Sequence, residues 1–156
     1  MSTAVTDILV LNGPNLDRLG KREPEVYGTV TLSEAMSAFE NVAGGMDLTV
    51  DTFQSNAEHE LIERIHAAGD AGTRFLIINP GGLTHTSVAL RDAILSVSLP
   101  FIEVHLSNTA ARDAFRHRSY FSDIAIGTIT GMGASGYIMA LHGAHNHLNQ
   151  SSTNDQ

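Results

Sequence analysis

The chain has 156 residues, 42% of them hydrophobic, no cysteine, and a formal net charge of -8. That length is one domain able to bury its own core, and without cysteine there is no disulfide framework, thiol nucleophile or thiolate metal site. The acidic balance argues against nucleic acid as a partner. No stretch nears the roughly 20 apolar residues of a membrane span.

The elements follow in chain order. An apolar run at 7–11 predicts a first buried strand and ends on Asn12-Gly13-Pro14-Asn15. The connection 12–30 that follows is about nineteen residues long, against the 2–6 usual between strand and helix. It holds Asn15, Arg18, Lys21, Arg22, Glu23, Pro24 and Tyr27, which favours a functional lid. A helix is predicted at 31–42, capped by Thr31 or Ser33 with Glu34 in its first turn. A strand follows at 48–53, then a helix at 57–68 with a C-cap at Gly69. The strand at 74–79 runs into Asn79-Pro80-Gly81-Gly82 and then His85. A helix at 86–97 leads to the strand 100–105, which ends on His105 with Ser107 and Asn108 just beyond. A short helix fits 110–115, a last strand 124–129 and a last helix 137–148. Residues 1–148 form a single catalytic domain in this reading, and 149–156 a polar, disordered tail. Residues 1–7 lack the basic and apolar regions of a signal peptide, so cytoplasmic residence is the expectation.

Alternating strands and helices predict an α/β fold: a doubly wound, flavodoxin-like, five-stranded parallel sheet in three α/β/α layers. In such a sheet all strand carboxyl ends share one edge, and ligands bind there. The polar groups that end the apolar runs would converge on one pocket.

Several motifs bear on its chemistry. Gly131, Gly133 and Gly136 satisfy G-x-G-x-x-G, but no strand with an acidic residue follows. Close helix–strand packing is therefore the better reading than dinucleotide binding. His142, His145 and His147 read as solvated histidines at a helix end rather than a metal site. Asp7, His59 and His66 carry no chemistry in this reading. Six of the nine bases form two groups, Arg18, Lys21 and Arg22, and Arg112, Arg116 and Arg118. They read either as two solvated loops or as a basic pocket for a small anion. Lys21, the sole lysine, sits in a charged loop and is a poor imine nucleophile. Glu103 and His105, two apart on a strand, share a face, where a carboxylate can orient an imidazole. The alternative is an ordinary polar strand end. Tyr27 shares the lid with Arg22; a tyrosine acting as a base near neutrality needs cationic neighbours, and otherwise it packs.

At these residues the chain resembles a known family. Leu11-Asn12-Gly13-Pro14-Asn15-Leu16, followed by Arg22-Glu23-Pro24-Glu25-Val26-Tyr27-Gly28, is similar to the opening of type II 3-dehydroquinate dehydratases. Asn79 to Ser87, Glu103 to Asn108, Phe115 to Tyr120 and Gly133 to Tyr137 resemble the family's later motifs, in order and spacing. Departures are few: Gly82-Leu83 stands for a common Ala-Tyr and Arg118 for a common His or Lys, and Asp17 and Asp123 are unusual choices.

The resemblance implies trans-dehydration of 3-dehydroquinate to 3-dehydroshikimate through an enolate, in the shikimate pathway or quinate catabolism, with no cofactor and no metal. It implies Tyr27 as base, Arg22 as its electrostatic support with Arg116 nearby, and His105, oriented by Glu103, as acid. Asn15 would hold a water on the enolate oxygen. Asn79 and the amides of Leu106 and Ser107 would take the substrate carboxylate, and His85 and Arg116 the ring hydroxyls. Asp92 would reach in from a neighbouring subunit of a homododecamer, a tetramer of trimers. The rival reading is a flavodoxin-like small-anion or flavin-binding module without catalysis.

Overall fold

The computed structural model describes residues 5–154. Residues 1–4, part of the segment read for a signal peptide, and 155–156, the end of the expected tail, lie outside the described residues. Five parallel strands form one sheet: β1 (Ile8–Asn12), β2 (Val50–Gln54), β3 (Phe75–Asn79), β4 (Phe101–His105) and β5 (Gly127–Thr130). Their order is β2-β1-β3-β4-β5, the flavodoxin-like arrangement.

Each central strand is apolar on both faces because both faces are covered. Ile8, Val10, Phe75, Ile77, Ile102 and Val104 pack with Phe39, Tyr137 and Leu141 of α2 (Leu32–Gly45) and α5 (Ser135–Asn154). The alternate residues Leu9, Leu11, Leu76, Ile78 and Phe101 pack with Leu61, Ile65, Leu90 and Ile94 of α3 (Glu58–Ala71) and α4 (Val88–Val97). This is why the strands read as continuous hydrophobic runs rather than alternating ones. A four-residue helix, α1 (Pro24–Tyr27), sits inside the long connection after β1. Helix α2 starts on a capping box: Thr31 Oγ1 accepts from the Glu34 amide (3.2 Å) and the Glu34 carboxylate from the Thr31 amide (3.0 Å).

Four expectations are corrected. Helix α3 does not stop at Gly69 but runs to Ala71, with Gly72 as its left-handed cap at φ 86°. Gly69 is a contact residue instead: a Cβ there would lie 2.5 Å from Val97 Cγ1, so the glycine lets α3 lie against α4. The short helix expected at 110–115 is two separate 3-10 turns, Thr109–Ala111 and Ala114–Arg116. The last strand begins three residues late; Ile124 and Ala125 instead donate backward to the Phe121 carbonyl in a turn. The tail expected to be disordered from Asn149 is helical through Asn154. Ser151, Ser152 and Thr153 hydroxyls return to carbonyls one turn earlier, at 3.1, 3.0 and 3.2 Å, and Leu148 anchors the segment in the core.

The lower edge of the sheet is tied by Asp7. Its carboxylate accepts from the Thr49 amide (2.9 Å), the Thr49 hydroxyl (3.0 Å) and Arg74 Nη1 (3.2 Å), joining the starts of β1, β2 and β3. Burial pushes this carboxyl up, but the Thr49 and Arg74 hydrogen bonds and the Arg74 charge outweigh it and hold it below the usual carboxylate range. A carboxyl lowered on folding stabilises the fold above its unfolded value, about 3.9, and that contribution is lost as pH falls through the folded value. Asp7→Asn should therefore cost about 1–2 kcal/mol at pH 7, with the gap to wild type closing in strong acid. Urea unfolding at both pH values checks this, and an equal gap at both would refute it.

Candidate active site

The site forms where β1, β3 and β4 end together. Asn12 is in register with Asn79, and Ile78 with Glu103. The loops leaving β1 and β3 meet backbone to backbone. The Gly13 amide donates to the Asn79 carbonyl (2.8 Å), and a Cβ on Gly13 would sit 2.3 Å from the Pro80 carbonyl oxygen. Only glycine fits there. Beneath, the fully buried Tyr137 hydroxyl donates to Asn12 Oδ1 and accepts from Asn79 Nδ2 (3.1 Å), while Asn79 Oδ1 accepts from the Gly81 amide (3.2 Å). Burial pushes the Tyr137 phenol well above the usual tyrosine value, the Asn79 hydrogen bond only partly opposing it, so this hydroxyl is a structural strut and not a base.

Strand β4 delivers an acid–imidazole pair. Glu103 is 1% exposed, and its Oε2 is hydrogen-bonded to His105 Nε2. Two further donors reach the same carboxylate: Ser119 Oγ to Oε2 at 2.8 Å and Ser122 Oγ to Oε1 at 2.6 Å. Burial pushes the carboxyl up; the hydrogen bonds from His105, Ser122 and Ser119, with the His105 charge, more than offset it and leave it below its ordinary value.

The connection after β1 closes over the pocket and is not free. Leu16 and Leu19 are buried beneath it, and the Asn15 amide donates to Asn56 Oδ1 (2.9 Å) with Asn15 left-handed at φ 70°. Helix α1 presents Tyr27 at its end. Arg112 Nη1 donates to the Tyr27 phenol oxygen at 2.6 Å and to Ser107 Oγ at 3.2 Å. The Arg22 guanidinium lies 5.4 Å from the Tyr27 ring centroid, over the ring rather than at its oxygen. Arg116 lines the pocket, and its buried Nε has no hydrogen-bond partner among the described residues. His85 Nδ1 lies 2.6 Å from the Arg118 carbonyl oxygen, which only accepts, so Nδ1 carries a hydrogen.

One pocket thus gathers Asn15, Arg22, Tyr27, Asn79, His85, His105, Leu106, Ser107 and Arg116, with Glu103 directly behind His105. Asp92 is not among its lining residues; it lies exposed on α4. Sequence reasoning missed Arg112, whose only signal was membership of the second basic group, and the supporting residues Tyr137, Asn56, Ser119 and Ser122. Three arginines line the pocket and, among the described residues, no aspartate or glutamate does. On a chain of net charge -8, that selects a small anion. A phenol and an imidazole beside the same space equip it for paired proton transfer.

Comparison with known proteins agrees. The family model described as dehydroquinase class II matches residues 6–145. A 3-dehydroquinate dehydratase of Yersinia enterocolitica is 60% identical over 144 residues, 92% of this chain and 95% of that protein. The crystal structure of a type II dehydroquinase from Butyrivibrio crossotus is similar with a TM-score of 0.86 and 42% identity, over 88% of this chain and 95% of that one. One from Propionibacterium acnes gives 0.85 and 40%, over 92% and 99%.

The strut role of Tyr137 is testable apart from any chemistry. Tyr137→Phe leaves the Asn12 and Asn79 amides short of a partner in a buried place, which should cost about 1–3 kcal/mol. Equilibrium denaturation checks it; a loss below about 0.5 kcal/mol, the scale of an ordinary surface substitution, would refute the strut role.

Proposed function

We propose how the site works from the premise that the chain belongs to the class II dehydroquinase family and catalyses the dehydration of 3-dehydroquinate. Tyr27 is the base that removes a proton alpha to the ketone. Its support is the Arg112 contact to the phenol oxygen at 2.6 Å, the observation that carries this reading. A guanidinium donating to that oxygen stands beside the oxyanion that forms when Tyr27 has lost its own proton. Arg22, over the ring, adds a second positive charge to the same site. The C–H electron pair moves into an enolate, and Asn15 holds a water against the developing enolate oxygen.

His105 is the acid. Glu103 occupies its Nε2, which leaves Nδ1 for the substrate. From there the imidazole protonates the tertiary hydroxyl, the C–O bond breaks, water leaves and the ring gains its double bond to give 3-dehydroshikimate. The substrate carboxylate sits at Asn79 and the amides of Leu106 and Ser107. His85 Nε2 hydrogen-bonds a ring hydroxyl, and Arg116, whose Nε makes no hydrogen bond and has only the Asp113 carboxylate at 3.6 Å, takes another. The division of roles needs no cofactor.

The enzyme works as a homododecamer, four trimers, in which Asp92 completes a neighbour's site. Its exposed place on α4, beside the exposed apolar residues Val88 and Leu95, suits a helix that meets another subunit. It acts in the cytoplasm; no helix among the described residues is long and apolar enough to cross a membrane. The reaction serves the shikimate pathway or quinate catabolism.

Two measurements test this reading. Tyr27→Phe should lower kcat by a factor of about 10²–10⁴, the share of a general base, without changing the fold. Arg112→Ala acts through the same oxygen, so the double variant should be far less impaired than the product of the singles. A Tyr27→Phe enzyme keeping more than about a tenth of wild-type kcat would remove Tyr27 from the role. Light scattering should report a particle of twelve chains; a stable monomer at micromolar concentration would dismiss the shared site at Asp92.

A further inference from the structure

We propose that Ser119 and Ser122 are positioning residues for the acid: their hydroxyls grip the buried Glu103 carboxylate and make the Glu103–His105 pair part with its proton more readily. The inference rests on the reading of His105 as acid and extends it to two side chains outside the pocket.

Each serine spends its hydroxyl hydrogen on Glu103. Ser119 Oγ already accepts from the amides of Phe121 (3.0 Å) and Ser122 (3.2 Å), so its own hydrogen is free for Oε2 at 2.8 Å. The peptide dipoles behind it strengthen that donation. Ser122 Oγ reaches the other oxygen, Oε1, at 2.6 Å. The segment bearing both is pinned on three sides. Phe121 is fully buried, the Tyr120 amide donates to the Thr84 carbonyl (3.0 Å), and Arg91 of α4 binds the Tyr120 carbonyl (2.8 Å) and the Asp123 carboxylate (2.9 Å). The grip is therefore held by the fold and not by the lid.

The direction of the effect follows from charge. A carboxylate with no other donors would cling to the proton it shares with the imidazole, which makes a poor acid. Two hydroxyl hydrogens place positive ends against that carboxylate and stabilise the state left after the proton has gone. They also fix the carboxylate plane, and with it the imidazole. His105 shares its pocket with Arg22 and Tyr27 of the lid, His85 after β3, and Arg112 and Arg116 after β4, while Asp123 beside Ser122 is paired with Arg91. Glu103 takes its own hydrogen bonds from His105, Ser119 and Ser122.

Ser122→Ala is the cleaner test, because Ser119→Ala would also orphan two backbone amides. In the full-length enzyme assayed with 3-dehydroquinate across pH, Ser122→Ala should lower kcat roughly three- to tenfold with KM within about twofold. The alkaline limb of kcat should move up by about one pH unit, the size expected when one hydrogen bond to a buried charge is lost. Ser122→Thr, which keeps the hydroxyl, should restore both, and Ser122→Cys, a weak donor of similar size, should fall between. In a His105→Ala background, Ser122→Ala should have no further effect on kcat. A lower kcat with an unmoved limb, an unchanged kcat, or an equal loss in the His105→Ala background would each overturn the proposal while leaving His105 as acid. Wild-type kcat in His105→Ala alone would overturn the acid assignment, and this inference with it.

Discussion

A parallel sheet brings every strand end to one edge, and the register of β1, β3 and β4 is the constraint on which this site depends. Asn12 and Asn79 lie level on neighbouring strands, and Glu103 follows one strand further on. A slip of one residue in any of them would turn its side chains to the opposite face. The edge is also where the sheet stops satisfying its own polar groups, so each must find a partner. Tyr137 answers for two asparagine side chains, the Gly13 and Gly81 amides bond to Asn79, and two serines with an imidazole answer for Glu103. One buried donor makes no hydrogen bond among the described residues: Arg116 Nε, which lines the pocket and has only the Asp113 carboxylate at 3.6 Å.

Charge separates the site from the rest of the molecule. Acids outnumber bases by 17 to 9, yet the pocket is lined by Arg22, Arg112 and Arg116. The carboxylate nearest this pocket within the chain, Glu103, stands behind His105 and is masked by three donors. An anionic substrate therefore meets cations at the opening and does not meet the buried negative charge directly. Low-dielectric walls concentrate such a field, so a few arginines outweigh a distant acidic surface.

The sequence was most legible where one residue's environment is set by its own element. Strands buried on both faces read as apolar runs, their alternation with helices implied a doubly wound sheet, and their number suggested the flavodoxin-like order. Glu103 and His105 were legible as a pair because a strand puts alternate residues on one face. Gly69 misled because a glycine near a helix end reads as a cap, whereas its real constraint is Val97 on another helix. The tail misled because polar composition says nothing of a helix extending a well-packed one by hydroxyl-to-carbonyl bonds. Arg112 and Ser122 act on Tyr27 and Glu103 across separations of 85 and 19 residues, and no local pattern announces a partner chosen by folding. The motifs of the resemblance carried most of the candidate site before any geometry was known. They did not say which arginine touches the phenol oxygen.

Tyr27 and His105, the proposed base and acid, are supported in opposite ways. His105 stands on a central strand, with a carboxylate whose other partners are pinned to a helix and a turn. Tyr27 stands on a four-residue helix in the long connection, tethered by buried Leu16 and Leu19 and by one guanidinium from the far wall. Arg112 fixes the place of the phenol oxygen, and the guanidinium is itself held by Ser107 just after β4. The proposed base thus takes its position from the loop that follows the strand carrying the proposed acid. A site built this way refers both of its proposed proton-transfer groups to one rigid wall, His105 directly and Tyr27 through Arg112 and Ser107.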